Sequence, residues 1–198
     1  MKKKFLESSI NLIKKNKKYS DEEIEIIAYG LEGIYLSITK AVVIFGIALV
    51  LGIFKEVINL LITYNVIRTK AFGIHASKSI YCLISSLIMF IGGAYLCKIL
   101  IIPLWFIIFI SVICIFFLYL YAPADTEKRP IVNKVKRKRF KLISTFLGII
   151  YLILIIYFKG LFISNYLFLG LVISVIMILP ITYKIFNMSY NNYKNYGV

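Results

Sequence analysis

Residues 99–121 read ILIIPLWFIIFISVICIFFLYLY, an apolar run without a charged side chain. A helix needs about 20 apolar residues to cross the hydrocarbon core of a bilayer, so this run predicts a membrane-spanning helix. Further apolar segments precede and follow it, at 34–54, 56–70, 79–97, 142–158 and 161–183. The sequence therefore predicts an all-α integral membrane protein with about six transmembrane or re-entrant segments.

The composition supports a membrane protein. The chain of 198 residues is 61% hydrophobic, and its mean hydropathy is +0.87, whereas a soluble domain of this size is closer to half apolar. Its three cysteines have neither the even number of a disulfide framework nor the spacing of a zinc site. We expect no metal and no cofactor.

The net charge of +15 is explained by membrane topology. If both termini are cytoplasmic and all six segments cross, 20 of the 24 basic residues fall in cytoplasmic regions, and the outer turns hold only Lys55, Lys98 and Lys159. This is the asymmetry of the positive-inside rule. We therefore expect membrane lipid around the chain and no nucleic-acid partner.

The segments suggest one membrane-embedded domain over residues 1–198. Segment two contains several polar side chains, so it either spans the membrane or re-enters from one side. The predicted parts are a cytoplasmic N-terminal region (1–33), segments one to four (34–121) with a candidate catalytic loop (68–82), a basic cytoplasmic loop (122–141), a C-terminal helical hairpin (142–183) and a cytoplasmic tail (184–198).

The N-terminal region predicts two helices. Residues 2–18 alternate seven lysines with apolar residues such as Phe5 and Leu12. This pattern fits a basic amphipathic helix on the membrane surface or a solvated helix whose lysines set the topology, and the pattern alone leaves both open. Ser20 and Glu23 have the spacing of a capping box, which predicts a second helix that begins there.

The candidate chemistry lies in residues 68–82, which read RTKAFGIHASKSIYC. His75 is the only histidine, and Cys82 follows it by seven residues. An imidazole can take the proton of a thiol, and the thiolate can then attack a carbonyl carbon. Lys78 and the other cations nearby favour the thiolate form. Arg68 could hold a substrate carboxylate or carbonyl by paired hydrogen bonds.

Spacing limits how His75 and Cys82 can meet. In an unbroken helix their Cα atoms would lie about 10 Å apart along the axis, too far for a direct contact. The pair therefore requires a break in the helix, which Gly73 permits, and Ser77 or Ser79 can begin a new helix. A third member of the site, if one is used, could be Asp125, Glu32 or Asn65.

These residues together resemble a known family. Arg68, Gly73, His75 and Cys82, followed after the fourth segment by the loop YAPADTEKRP at 121–130, are similar to the accessory gene regulator B (AgrB) membrane peptidases. The resemblance covers nearly the whole chain in length, hydropathy and loop placement.

The resemblance implies a role in quorum sensing at the cell membrane of a Gram-positive bacterium, with the active site facing the cytoplasm. Such proteins remove the C-terminal tail of a small AgrD-like precursor peptide and promote its cyclisation to a thiolactone or lactone. It implies that Cys82 is the nucleophile and His75 the general base, that Arg68 and Gly73 occupy positions important in the family, and that the protein is a homodimer.

Two other functions remain open at this stage. A non-enzymatic peptide exporter or membrane scaffold could use polar segment two to line a path, and His75 and Cys82 would then be incidental. A membrane cysteine acyltransferase would share the thiol chemistry, although the loop at 121–130 argues against it. Whether Cys82 is required for peptide-bond cleavage separates the peptidase from the exporter.

Overall fold

The computed structural model describes residues 2–16, 20–74, 79–126 and 130–196. In these ranges the chain is helical, as predicted. A π-helical turn at Ile88–Gly92 and a 3-10 helix at Asn192–Tyr196 accompany nine α-helices. These are α1 (Lys2–Asn16), α2 (Asp21–Val50), α3 (Phe54–Ala71), α4 (Ser79–Leu87), α5 (Gly93–Ile99), α6 (Leu104–Tyr121), α7 (Lys134–Tyr157), α8 (Phe162–Ile176) and α9 (Pro180–Ile185).

Within the described ranges, four helical stretches are long and apolar enough to cross a membrane: Ile26–Val50, Ile80–Ile99, Leu104–Tyr121 and Lys134–Tyr157. Helix α8 is apolar but shorter. Helix α3, the predicted segment two, carries four charged side chains in its 18 residues, at Lys55, Glu56, Arg68 and Lys70. The fold is thus a helical membrane protein with four long apolar helices and a shorter one.

The chain divides into two compact units, Met1–Ile47 and Ala48–Val198. In the first, the rings of Phe5 in α1 and Tyr35 in α2 lie 5.3 Å apart. The predicted capping box is confirmed at the start of α2. The Ser20 amide donates to Glu23 Oε2 at 2.9 Å, and the Glu23 amide donates to Ser20 Oγ at 3.3 Å.

Helix α3 packs against α7 and α8 in the second unit, and α6 covers α7 and α8. Because the middle of α3 is polar, it is tied to its neighbours by hydrogen bonds as well as by packing. Tyr151 Oη donates to the Thr63 carbonyl at 2.7 Å, and Thr63 Oγ1 donates to the Tyr166 carbonyl at 3.0 Å. Such side-chain bonds to backbone carbonyls hold helices together in apolar surroundings.

Gly170 in α8 allows this close approach of α3 and α8. A Cβ at this position would lie 2.6 Å from Thr63 Oγ1 and 3.0 Å from the Thr63 carbonyl carbon. The glycine therefore lets two helices meet at a distance that any side chain would increase.

We expect Gly170→Ala to destabilise the second unit by about 1–3 kcal/mol, because an overpacked helix contact must shift its backbone. The measurement is thermal unfolding in detergent. Gly92→Ala is the matched control in the same unit, since a Cβ there meets nothing within 4 Å, and it should leave the unfolding temperature unchanged or slightly raised. Equal effects of the two substitutions would contradict this account of the contact.

Candidate active site

The predicted break in the helix before Cys82 is present. Helix α3 ends at Ala71, Phe72 and Gly73 have φ angles of 59° and 112°, and α4 begins at Ser79. His75 and Lys78 lie outside the described residues. The structure thus shows the non-helical segment that leads to His75 and the helix that carries Cys82.

Two distant parts of the chain hold residues 71–74. Ala124 donates its amide to the Ala71 carbonyl at 2.9 Å and accepts from the Gly73 amide at 2.8 Å, forming a short parallel bridge. The Ile74 amide donates to the Met177 carbonyl at 3.1 Å, just beyond α8. The backbone entering His75 is therefore paired on one side with the loop after α6 and on the other with the end of α8.

Arg68 stabilises the same turn from within α3. Its guanidinium donates to the carbonyls of Phe72, Gly73 and Ile74, the bond to Gly73 measuring 3.1 Å. These carbonyls follow the end of the helix and have no partner within it. The structure thus directs the Arg68 donors at the backbone of its own turn, and binding of a substrate by Arg68 stays a prediction.

Gly73 is required by this arrangement. Its φ of 112° is a conformation that side chains rarely adopt, and an added Cβ would collide with the Arg68 guanidinium and lie 2.5 Å from the Met177 carbonyl oxygen. Its predicted unusual conformation is confirmed. The close approach to Arg68 and Met177 is an additional constraint that spacing did not reveal.

Cys82 lies in the first turn of α4 and is half-buried, whereas Cys97 and Cys114 are buried and pack as small apolar residues. The Cys82 carbonyl accepts from Ser85 Oγ at 3.1 Å and Ser86 Oγ at 2.7 Å. These bonds occupy the hydroxyls of the two serines on the backbone of their own helix. Of the three cysteines, Cys82 is the one that is partly exposed.

The π-helical turn affects the direction in which Cys82 faces. A π-helical turn contains about one residue more than an α-helical turn. Residues spaced by four along this stretch therefore stay close to one side of the helix, and these are 82, 86, 90 and 94. Phe90 and Ala94 on that side are buried. The Phe90 ring meets Tyr64 of α3 at 5.3 Å, edge to face. The turn therefore aligns Cys82 with the side that packs on α3.

Tyr64 is a residue that sequence reasoning did not select for the site. The Arg68 guanidinium lies 6.0 Å from its ring centroid, and its hydroxyl is within electrostatic range of both Arg68 and Cys82. Its only signal in the sequence is a polar aromatic ring in an apolar segment, one helical turn before Arg68. That signal is too common to identify a site residue.

Asp125 is buried, with 2% of its surface exposed. Its carboxylate accepts from the amides of Asn192 at 2.9 Å, Tyr193 at 2.8 Å and Ile131 at 3.3 Å. Among the described residues, all donors to this carboxylate are thus backbone amides. Its neighbour Ala124 pairs with Gly73, so Asp125 belongs to the wall of the site.

The other candidates for a third site residue are placed differently. Asn65 Nδ2 donates to the Leu61 carbonyl of its own helix at 2.8 Å. Glu32 belongs to the first compact unit. The described hydrogen bond of Asn65 lies within α3. The turn at residues 71–74 is bonded by Arg68, Ala124 and Met177.

A cavity of about 290 Å³ lies at the opposite end of α3. Its lining includes Lys98 and Glu56, whose charged atoms are 3.9 Å apart. It is remote along α3 from Arg68 and Gly73, so it does not belong to the candidate site. The described residues contain no group of three or more His, Cys, Asp and Glu side chains that could hold a metal ion.

Comparison with known proteins identifies the family. Residues 6–178 match the family model for accessory gene regulator B. The chain belongs to the AgrB family. A protein named as AgrB-like in Clostridium acetobutylicum is 34% identical over 91% of this chain and 88% of its own length. The AgrB-like protein of Listeria innocua is 33% identical over 93% and 91%.

The accessory gene regulator protein B of Staphylococcus aureus is 31% identical over 78% of this chain and 82% of its own length. No solved structure matches the chain. Membership of the AgrB family confirms the family resemblance of the sequence, and it implies a membrane peptidase that processes AgrD.

We expect Gly73→Ala to destabilise the turn after α3 by at least about 2 kcal/mol more than Gly52→Ala, because an unfavourable φ and an overpacked contact both contribute. Gly52 is a matched control, since its φ is +66° but a Cβ there meets nothing within 4 Å. The measurements are thermal unfolding and amide hydrogen exchange over residues 71–74. Equal behaviour of the two variants would contradict the collision with Arg68 and Met177.

Proposed function

We propose that this AgrB-family protein is a membrane cysteine endopeptidase that removes the C-terminal tail of an AgrD-like precursor peptide. The observation that carries the proposal is the turn at residues 72–74. Helix α3 ends at Ala71, four residues before His75, and a new helix that begins at Ser79 carries Cys82. Because this segment is not a straight helix, the 10 Å separation of a continuous helix does not apply.

In the proposed first step, His75 takes the thiol proton and the Cys82 thiolate attacks the carbonyl carbon of the scissile peptide bond. The C–N bond breaks, and the protonated imidazole returns a proton to the leaving amine. The retained peptide is then joined to Cys82 as a thioester. Lys78, four residues before Cys82 in the sequence, supplies a positive charge that favours the thiolate in this proposal.

The second step is ring closure. A thiol or hydroxyl of the retained peptide attacks the thioester carbonyl, and Cys82 leaves as the thiol. With an attacking thiol, one thioester replaces another, so the exchange needs no oxidant or energy source. Exclusion of water would protect the intermediate from hydrolysis.

The proposed setting is the cell membrane, with both termini, residues 68–82 and the basic loop on the cytoplasmic side. The support is the charge asymmetry between the two sides of the predicted spans. A reducing cytoplasm would also keep Cys82 as a thiol. We further propose that the protein acts as a homodimer, as the family resemblance implies.

The direct test is co-expression in a neutral host with the small peptide encoded beside the gene. The mass of the peptide is then measured by mass spectrometry to detect loss of the tail. We expect loss of the tail with the wild type and no cleavage with Cys82→Ala or His75→Ala, because each variant removes one half of the nucleophile and base pair. Cys97→Ala is the matched control, since Cys97 is buried away from the turn, and it should retain cleavage.

Cleavage that survives Cys82→Ala would end the thiol mechanism. An intact peptide that still reaches the medium in a Cys82-independent manner would favour a peptide exporter or scaffold.

Arg68→Lys should lower kcat by about tenfold or more with little change in KM, because a single ammonium cannot replace a planar guanidinium on three carbonyls. The measurement is steady-state cleavage in detergent at a range of peptide concentrations. A rise in KM at constant kcat would instead show that Arg68 binds the substrate, as the sequence alone suggested.

A further inference from the structure

The C-terminal residues 187–196, here called the C-terminal strap, contact the loop after α6. Asp125 in this loop is the hydrogen-bond acceptor. Two of the three backbone amides that donate to its carboxylate belong to Asn192 and Tyr193. Hydrogen bonds to an ionised acceptor are shorter and stronger than neutral ones. One buried carboxylate thus ties the end of the chain to the wall of the candidate site.

The strap has a defined conformation of its own. Asn187 and Asn191 have φ angles of 50° and 59°, a region in which asparagine is enriched. Ser189 Oγ donates to Asn192 Oδ1 at 2.5 Å, and Asn192 Nδ2 donates back to the Ser189 carbonyl at 3.0 Å. These bonds orient the Asn192 and Tyr193 amides toward Asp125.

Aromatic contacts hold the strap from two sides. The Tyr190 ring lies 5.0 Å from Tyr183, whose hydroxyl donates to the Asp125 carbonyl at 2.9 Å. The Arg137 guanidinium stacks 3.6 Å from the centre of the Tyr193 ring, a cation–π contact. Burial, assisted by neighbouring Tyr121, raises the pKa of Tyr190 to about 12, so this tyrosine stays neutral at physiological pH.

The strap is linked to the candidate catalytic loop through a single peptide unit. Asp125 follows Ala124, whose amide and carbonyl pair with Ala71 and Gly73. Gly73 lies two residues before His75. The strap also lies beyond residues 6–178, the part that matches the family model.

We propose that the C-terminal strap is a positioning element for the peptidase site, acting through Asp125 and Ala124 on the backbone that carries His75. The proposal rests on the proposed function, in which His75 assists Cys82. When the strap is released, the loop after α6 loses its buried anchor and the Gly73 amide loses its fixed acceptor. The backbone that leads to His75 then loses its fixed position, and the proposed assistance of Cys82 is lost.

The test uses the full chain with Asp125→Asn or Tyr193→Ala, and Tyr196→Ala as a matched control because Tyr196 is 59% exposed. A further variant lacks residues 189–198 and is measured with and without a synthetic peptide of residues 186–198. The first readout is amide hydrogen exchange at Gly73 and Ala124. The second is the rate of Cys82 alkylation by iodoacetamide from pH 5 to 9, located by mass spectrometry.

We expect at least about tenfold faster exchange at Gly73 and Ala124 in Asp125→Asn, Tyr193→Ala and the truncated chain, because their amides lose protection when the local structure opens. Cys82 alkylation at low pH should fall to the rate of His75→Ala, since the thiolate is no longer assisted. Tyr196→Ala should match the wild type in both readouts. The added peptide should restore slow exchange and normal alkylation in the truncated chain, a recovery that a misfolded chain would not show.

Unchanged exchange at Gly73 and Ala124 in Asp125→Asn and Tyr193→Ala would overturn the proposal, as would a truncated chain that the peptide cannot restore. If His75→Ala itself leaves the alkylation profile unchanged, the assisted thiol of the proposed function fails. The exchange data would still decide whether the strap holds the loop.

Discussion

The backbone groups at the end of α3 have no partner within the helix, and the rest of this site depends on how they are bonded. Helix α3 stops at Ala71 in an otherwise apolar bundle, and each exposed amide or carbonyl there needs a partner. The partners come from three places: the Arg68 side chain, Ala124 after α6 and Met177 after α8. Because these bonds share one short segment, the ends of three helices are fixed relative to one another.

This constraint explains why a break in the chain can also be rigid. A turn that merely interrupted a helix would leave the segment before His75 mobile, and a catalytic base needs a defined position. Here Gly73 supplies the backbone conformation, and its lack of a side chain lets Arg68 and Met177 approach. The same glycine therefore ends the helix and admits the groups that hold the turn.

Charged residues in this protein illustrate two uses of charge near a membrane. A carboxylate or guanidinium beside a cysteine and a histidine suggests chemistry or substrate binding, and both Asp125 and Arg68 invite that interpretation. The structure directs their hydrogen-bonding groups at backbone instead. Such groups satisfy irregular backbone where water is scarce, which is as strong a reason for a buried charge as catalysis.

The sequence by itself determined the helical membrane class, the start of α2 and the helix break before His75, because hydropathy, capping and glycine conformation are local properties. It placed segment three at 79–97 but did not reveal the π-helical turn within it. It also could not show that Ala71, Gly73 and Ile74 pair with Ala124 and Met177, or that the C-terminal tail returns to Asp125. Those contacts join residues far apart in the chain, and any backbone amide can make them, so they leave no pattern in the residue types. Only the packing of α3, α6 and α8 decided which groups meet.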